Sequence, residues 1–226
     1  MIRKAFGIFC FAGLLSLQSV WGAGKTTLVI GYAELDGDPR YREDRRYAGI
    51  EFKPRGRPWP GAKVALRESR IVGRAIGIKF SLEKVSVKSE PELAEAIVRL
   101  HEKQNVSFFL VDAPAEALLT VANAAQGKPL LLFNVSESAD ELRGNQCRPH
   151  LMHTIPSYAM LADGLAQYLV TKQWRNLLLL QGKLPRDQAF SQAFRKTAKK
   201  FGLKITEEKE FVLSNDPRQR DQNNIA

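Results

Sequence analysis

Short apolar runs alternate with segments of helical period along the chain, and this alternation restricts the fold more than any other feature. Residues 27–33 (TLVIGYA) form a β-branched, apolar run that reads as a buried strand. Ala65, Ser69, Val72 and Ile76 recur at helical spacing, and Gly77 stops that helix. Residues 78–87 alternate Ile78, Phe80 and Leu82 as a second strand. Ser89 and Glu92 have the spacing of a capping box ahead of Leu93, Ile97 and Leu100. A third strand is expected over residues 106–111, a small-residue helix from Pro114 to Gly127, and a fourth strand over residues 129–135. The rhythm then repeats. A short strand at residues 151–155 precedes a helix capped by Ser157 and faced by Leu161, Leu165 and Leu169. Residues 176–181 (NLLLLQ) are apolar throughout their centre, as a parallel sheet requires. Pro185 and Asp187 open a helix with Phe190, Phe194 and Ala198 at four-residue spacing, and Gly202 ends it. Residues 204–212 alternate like an edge strand. Strand, helix and strand in this order mean an α/β fold of parallel sheets with right-handed crossovers. Such sheets bind ligands beyond the carboxyl ends of their strands.

The N-terminus restricts the compartment. Arg3 and Lys4 precede an apolar run over residues 5–17, which is too short for a spanning helix of about 20 residues. Val20 and Gly22 suit a signal-peptidase site, so residues 1–22 read as a signal peptide cleaved before Ala23, and the mature chain as periplasmic. The net charge of +10 includes Arg3 and Lys4, and the remaining excess selects no partner by itself. Cys10 leaves with the leader, so Cys147 is the one thiol of the mature chain and is expected as a small buried apolar residue. Cys147, His150 and His153 are spaced by three, but Pro149 opposes a helix and a strand would turn His150 away from the other two. No metal site is expected there.

Enzyme motifs fail one by one. Gly24, Lys25 and Thr26 lack the preceding glycine of a phosphate loop, since Ser19 stands there, and they precede a strand instead of following one. No G-x-G-x-x-G, G-x-S-x-G or H-E-x-x-H occurs. Neither catalysis nor a cofactor is expected. Residues 40–57 carry seven Arg or Lys with Tyr41, Tyr47 and Phe52 interleaved and Trp59 just beyond. That pattern also suits single-stranded nucleic acid, but export argues against such a partner. The readings left open are a solvated loop with packed aromatics, a lip over a ligand cleft and a docking surface.

Several segments together carry a family resemblance: Leu28-Val29-Ile30-Gly31, Asp38-Pro39-Arg40-Tyr41, Asp112-Ala113-Pro114-Ala115, Leu132-Phe133-Asn134-Val135-Ser136, and His153-Thr154-Ile155-Pro156-Ser157. With their order and spacing, the chain resembles a type I periplasmic substrate-binding protein of ABC transporters, similar to the leucine/isoleucine/valine-binding branch. Within it, the chain is similar to the subgroup associated with pyrroloquinoline-quinone-dependent alcohol dehydrogenase systems. The resemblance implies two lobes hinged around a cleft, a small-molecule ligand and an ABC permease in the inner membrane, with a quinoprotein dehydrogenase as a further candidate partner. It also implies ligand contacts from the loops after the third and fourth strands, here Asp112, Ala113 and Pro114, and Asn134, Val135 and Ser136. Ser136 offers the hydroxyl usual in that branch. Asp112 stands where a Ser or Thr would be usual and points to a cation or a hydroxylated ligand. The plainer readings are a turn closed by Asn134 and a helix capped by Asp112.

The expected organisation is a first lobe over residues 23–150 and a partial second lobe over residues 151–226. No helix is expected after the last strand, so one face of the second sheet should be bare and apolar. A fragment or a prematurely stopped reading frame is therefore expected, with its last dozen residues poorly ordered. Two function classes follow: a solute-binding protein that serves a permease, and a periplasmic accessory or sensor that binds a dehydrogenase or receptor without transport.

Overall fold

A computed structural model of the chain describes residues 26–41 and 56–211. The expectations on the leader, on residues 42–55 and on the last dozen residues lie outside them.

The first sheet has five parallel strands: β1 (Thr26–Leu35), β2 (Ile78–Val87), β3 (Phe108–Asp112), β4 (Leu131–Asn134) and β5 (Leu151–His153), in the order β2-β1-β3-β4-β5. The strand at Leu151 was expected to open the second part. It pairs instead with β4, Leu132 opposite Leu151 and Asn134 opposite His153, and forms the edge of the first sheet. A second sheet pairs β6 (Asn176–Gln181) with β7 (Lys204–Glu210), also in parallel.

The helices α3 (Glu90–Gln104) and α4 (Ala115–Ala125) build the main core with the strands. Leu93, Ile97, Phe109, Leu118, Val121 and Leu132 are all but inaccessible there. Gly127 turns the chain after α4 with φ +77°. Right-handed crossovers running in opposite directions from β1 put the β1–β2 helices on the other face of the sheet. Those are α1 (Trp59–Glu68) and α2 (Arg70–Ile76), two helices meeting at Ser69 where one was expected. Val72 and Ile76 do not bury. Gly73 does, because α2 approaches β2 so closely that a Cβ there would lie 2.4 Å from the Ile78 carbonyl oxygen.

The capping box expected at Ser89 is not formed. Ser89 makes no side-chain cap bond, and the Glu92 carboxylate accepts from the Lys88 N–H at 3.2 Å. Ser157 does cap α5 (Tyr158–Thr171), accepting from the Met160 N–H at 3.3 Å. The buried face of α5 is nonetheless Ala162 and Ala166, while Leu161 and Leu165 are exposed. Helix α6 (Pro185–Phe201) packs on α5 through Ala193, Phe194 and Ala198. Small residues on both helices allow this close packing, in which Leu169 joins the cluster while Leu161 and Leu165 stay at the surface. Among the described residues no helix is long and apolar enough to cross a membrane.

Candidate functional site

Parallel pairing sets the two candidate loops side by side. Val111 is in register with Asn134, and the Val135 N–H donates to the Val111 carbonyl at 3.2 Å. Both loops leave the carboxyl rim of the sheet. Their side chains, however, are largely committed to each other and to the chain just after β1.

Asp112 is fully buried and accepts four donors: Tyr41 Oη at 2.6 Å and Arg40 Nη2 at 3.2 Å on Oδ1, Tyr32 Oη at 3.3 Å and Arg57 Nη1 at 3.5 Å on Oδ2. It does not cap α4, whose N-cap Pro114 has no side-chain bond. Its oxygens leave no capacity for a cation or a ligand hydroxyl. The neighbouring strand contributes Glu34, in register with Asp112 and paired with Lys84 at 2.7 Å and Arg57 at 3.5 Å. Burial pushes the Tyr32 and Tyr41 phenols up, and Asp112 pushes them further, so both stay protonated donors. Burial alone would lower the Arg40 guanidinium, but its bonds to Asp38 outweigh that and raise it. Arg40 and Arg57 also lie over the Tyr41 ring, 5.4 and 4.5 Å from its centroid, and Trp59 packs on Tyr32 at 5.0 Å. The described ends of the basic segment are thus fastened to the rim through Asp112 and Glu34.

Asn134 closes a turn. Its Oδ1 accepts from the Ser136 N–H at 3.1 Å and the Glu137 N–H at 2.8 Å, and its Nδ2 donates to the Glu137 carbonyl at 2.7 Å. The Ser136 hydroxyl is buried beside the Tyr41 phenol without a partner at hydrogen-bonding geometry among the described residues. Cys147 is exposed, against the expectation of burial, because it sits in the irregular stretch after the 3-10 turn Asp140–Arg143. His150 lies on the Ala122 carbonyl and His153 on Asn134, so the Cys147–His150–His153 spacing gathers no common site.

A cleft of about 580 Å³ opens next to these loops. One wall belongs to the first sheet's rim, with Arg40, Ala115, Glu137, Asp140 and Glu141. The opposite wall is the first half of α6, with Arg186, Ala189, Gln192 and Lys196, and Tyr158 closes one side. The lining therefore begins one residue beyond each candidate loop, at Ala115 after Pro114 and at Glu137 after Ser136. None of Asp112, Ala113, Pro114, Asn134, Val135 and Ser136 lines it. Their part is to aim the residues that do. Glu137 is held by Arg40 at 3.2 Å and by the Ala139 N–H at 3.0 Å, and Asp140 by the Ala159 N–H at 2.9 Å. The α6 wall carried no motif in the sequence. Its one signal was the start of the helix at Pro185 and Asp187, whose carboxylate accepts from the Leu184 N–H at 3.2 Å.

Among solved structures, the chain is similar to an ABC transporter substrate-binding protein from Desulfitobacterium hafniense, with 17% identity and a TM-score of 0.61 over 87% of this chain and 53% of that one. It is also similar to a branched-chain amino acid ABC transporter periplasmic ligand-binding protein from Burkholderia xenovorans, with 16% identity and a TM-score of 0.62 over 86% and 51%. A branched-chain amino acid transporter substrate-binding protein from Streptococcus pneumoniae, in complex with isoleucine, matches at 18% identity and a TM-score of 0.55 over 83% and 50%. The chain spans about half the length of these structures, and at such identities the likeness is one of fold. No curated protein matches the sequence. A periplasmic binding protein family model matches residues 60–217, well over half of the sequence. With that match and the parallel α/β architecture, the chain belongs to the periplasmic binding protein family.

Proposed function

We propose that this chain is the exported solute-binding component of an ABC transporter, taking a small molecule into the cleft between the first sheet's rim and α6. The observation that carries the reading is the charge of the two walls. Glu137, Asp140 and Glu141 face Arg186 and Lys196 across about 580 Å³, room for a ligand of amino-acid size. A ligand bearing both an ammonium and a carboxylate satisfies both walls. The matched proteins whose descriptions name branched-chain amino acids, leucine or isoleucine support the same class. Signal-peptide cleavage after Gly22 and an inner-membrane permease as partner belong to this reading. The narrower link to a quinoprotein alcohol dehydrogenase system rests on the sequence segments alone, and co-purification from periplasmic extract is its test.

Thermal unfolding in the presence of leucine, isoleucine and their decarboxylated and deaminated analogues tests the ligand class. A ligand at a hundred times its Kd stabilises the protein by about 2.7 kcal/mol. A rise in Tm with the amino acids, smaller with either analogue and abolished by Lys196→Glu, is the expected result. Equal shifts with the amino acids and both kinds of analogue, or none, would reject the zwitterion reading.

A further inference from the structure

The sequence has three histidines, and their hydrogen-bond partners divide them. His101 Nδ1 lies 2.9 Å from the Val106 carbonyl and His150 Nε2 2.7 Å from the Ala122 carbonyl, so each ring donates and accommodates a second proton. His153 faces a donor instead, with its Nδ1 3.0 Å from Asn134 Nδ2. The Asn134 amide cannot turn over, because the Ser136 and Glu137 N–H groups fix its Oδ1 and the Glu137 carbonyl fixes its Nδ2. Nδ1 of His153 must therefore accept, which puts the ring's single proton on Nε2. His153 Nε2 and Arg143 Nη1 are both buried without a partner at hydrogen-bonding geometry among the described residues, although the Leu142 carbonyl lies near the ring.

His153 ends β5, and the chain after it crosses from the first sheet to α5. The crossing is fastened to residues 134–143. The Thr154 N–H and hydroxyl donate to the Asn134 carbonyl at 3.1 and 3.0 Å, Arg143 donates to the Ile155 carbonyl, and the Tyr158 N–H donates to the Ser138 carbonyl at 2.9 Å. The same residues supply Glu137, Ala139, Asp140 and Glu141 to the cleft.

We propose that His153 is a proton-operated latch on this crossing: neutral, it holds the Asn134 turn, and protonated, it releases residues 134–143 and loosens the cleft wall they form. A second proton places an N–H against the Asn134 amide N–H and a cation beside Arg143. From β4 the ring meets the Asn134 amide, and from the 3-10 turn it meets Arg143 and the Leu142 carbonyl. Asp140 and Glu137 act on Arg143, but each is already held, by Ala159 and by Arg40 and Ala139. Burial, then Arg143, holds the imidazole below its ordinary value, and the Leu142 carbonyl offsets this in part. A histidine depressed in this way contributes stability that is complete above its unfolded value of about 6.5 and is lost as pH falls from there toward the folded value. Only the consequence for a bound solute rests on the cleft reading, so the test uses no ligand.

Amide hydrogen exchange of the full chain between about pH 7.5 and 5.0 reads the latch directly. Protection of Ser136, Glu137 and Thr154 should fall by up to about tenfold per pH unit below about 6.5, while α3 and α4 hold theirs. His153→Asn, whose Oδ1 can accept as Nδ1 does without titrating, should flatten the response, and His101→Gln and His150→Gln should leave it intact. Equal pH dependence in the wild type and His153→Asn overturns the proposal. Should that variant fail to fold, the ring-carbon chemical shifts of His153 in the wild type decide. An Nε2–H tautomer that titrates in step with loop protection supports the latch, and an Nδ1–H tautomer, or titration without a loop response, overturns it.

Discussion

β1 and β6 are both apolar strands that lead through a helical connection to a parallel neighbour, yet β1 runs between β2 and β3 whereas β6, among the described residues, pairs with β7 alone. The consequences differ along each strand. Toward the end of β1, Ala33 and Leu35 face the core of α3 and α4 while Tyr32, on the other face, packs on Trp59 and bonds Asp112, and Tyr32 and Ala33 have no exposure at all. In β6, Leu177 and Leu179 pack toward α6 while Leu178 and Leu180 remain 45% and 40% exposed. Trp174, Leu161 and Leu165 are exposed as well. An apolar strand is thus buried by what its neighbours supply, and its composition alone does not bury it. The second contrast is polar. The first sheet's rim encloses Asp112 and Glu34 among Arg40, Arg57, Lys84 and two tyrosines, whereas the pairs Arg195–Glu208 and Lys200–Asp163 of the second unit stand in solvent.

The largest effect is expected from Phe109→Ala. The ring is fully buried and packs so closely on β1 that a Cβ at Gly31 would meet it at 2.3 Å. Loss of about 3–5 kcal/mol, measured by urea unfolding, should take the whole first sheet with it. Phe194→Ala in the smaller cluster should instead raise amide exchange in β6 and β7 and leave β3 and β4 protected. Exchange that rises equally in both sheets would show one cooperative unit and break the comparison.

Asp112→Ala should cost about 3–5 kcal/mol, because it removes the shared acceptor of two buried phenols and two guanidiniums, although Arg40 keeps Asp38 and Glu137. In a double-mutant cycle with Tyr41→Phe, a coupling below about 0.5 kcal/mol would mean that the pair contributes little. Ser157→Ala removes the α5 cap bond and should cost about 1 kcal/mol, read as a lower Tm. The smallest effect is expected at the bare face. Leu178→Ser should change stability within about 0.5 kcal/mol and raise solubility, while Leu179→Ser on the packed side should cost more. Equal costs at the two positions would mean that the outer face is covered in solution.

Much of the fold was legible because strand and helix periods are local properties. Every expected strand was found within two or three residues of its expected bounds, including the edge strand at Lys204. Glycines mark the stops at Gly77, Gly127 and Gly202, where φ lies near +70°. The buried face of a helix was less legible. On α5 the leucine stripe looked inward, yet the neighbour is another helix, and close approach of two helices favours Ala162 and Ala166 over Leu161 and Leu165. On α2 the same happened at Gly73, whose lack of a side chain permits contact with the Ile78 backbone. The strand at Leu151 was placed in the wrong sheet, since three residues specify a strand but not its partner.

For the candidate site, the sequence by itself determined that two loops leave the carboxyl ends of adjacent parallel strands, because right-handed crossovers leave few alternatives. It also determined which residues stand there: Asp112, Asn134 and Ser136. Only the tertiary structure decided what those residues do. Asp112 is filled by Arg40, Tyr41, Tyr32 and Arg57, three of which reach it from more than 70 residues away in sequence and one from 55. Glu137 and Lys196 face each other across the cleft from different sheet units. A side chain's hydrogen-bonding capacity is a local property, but whether it remains open to a ligand depends on which distant donors the fold delivers, and that is settled only when the chain has packed.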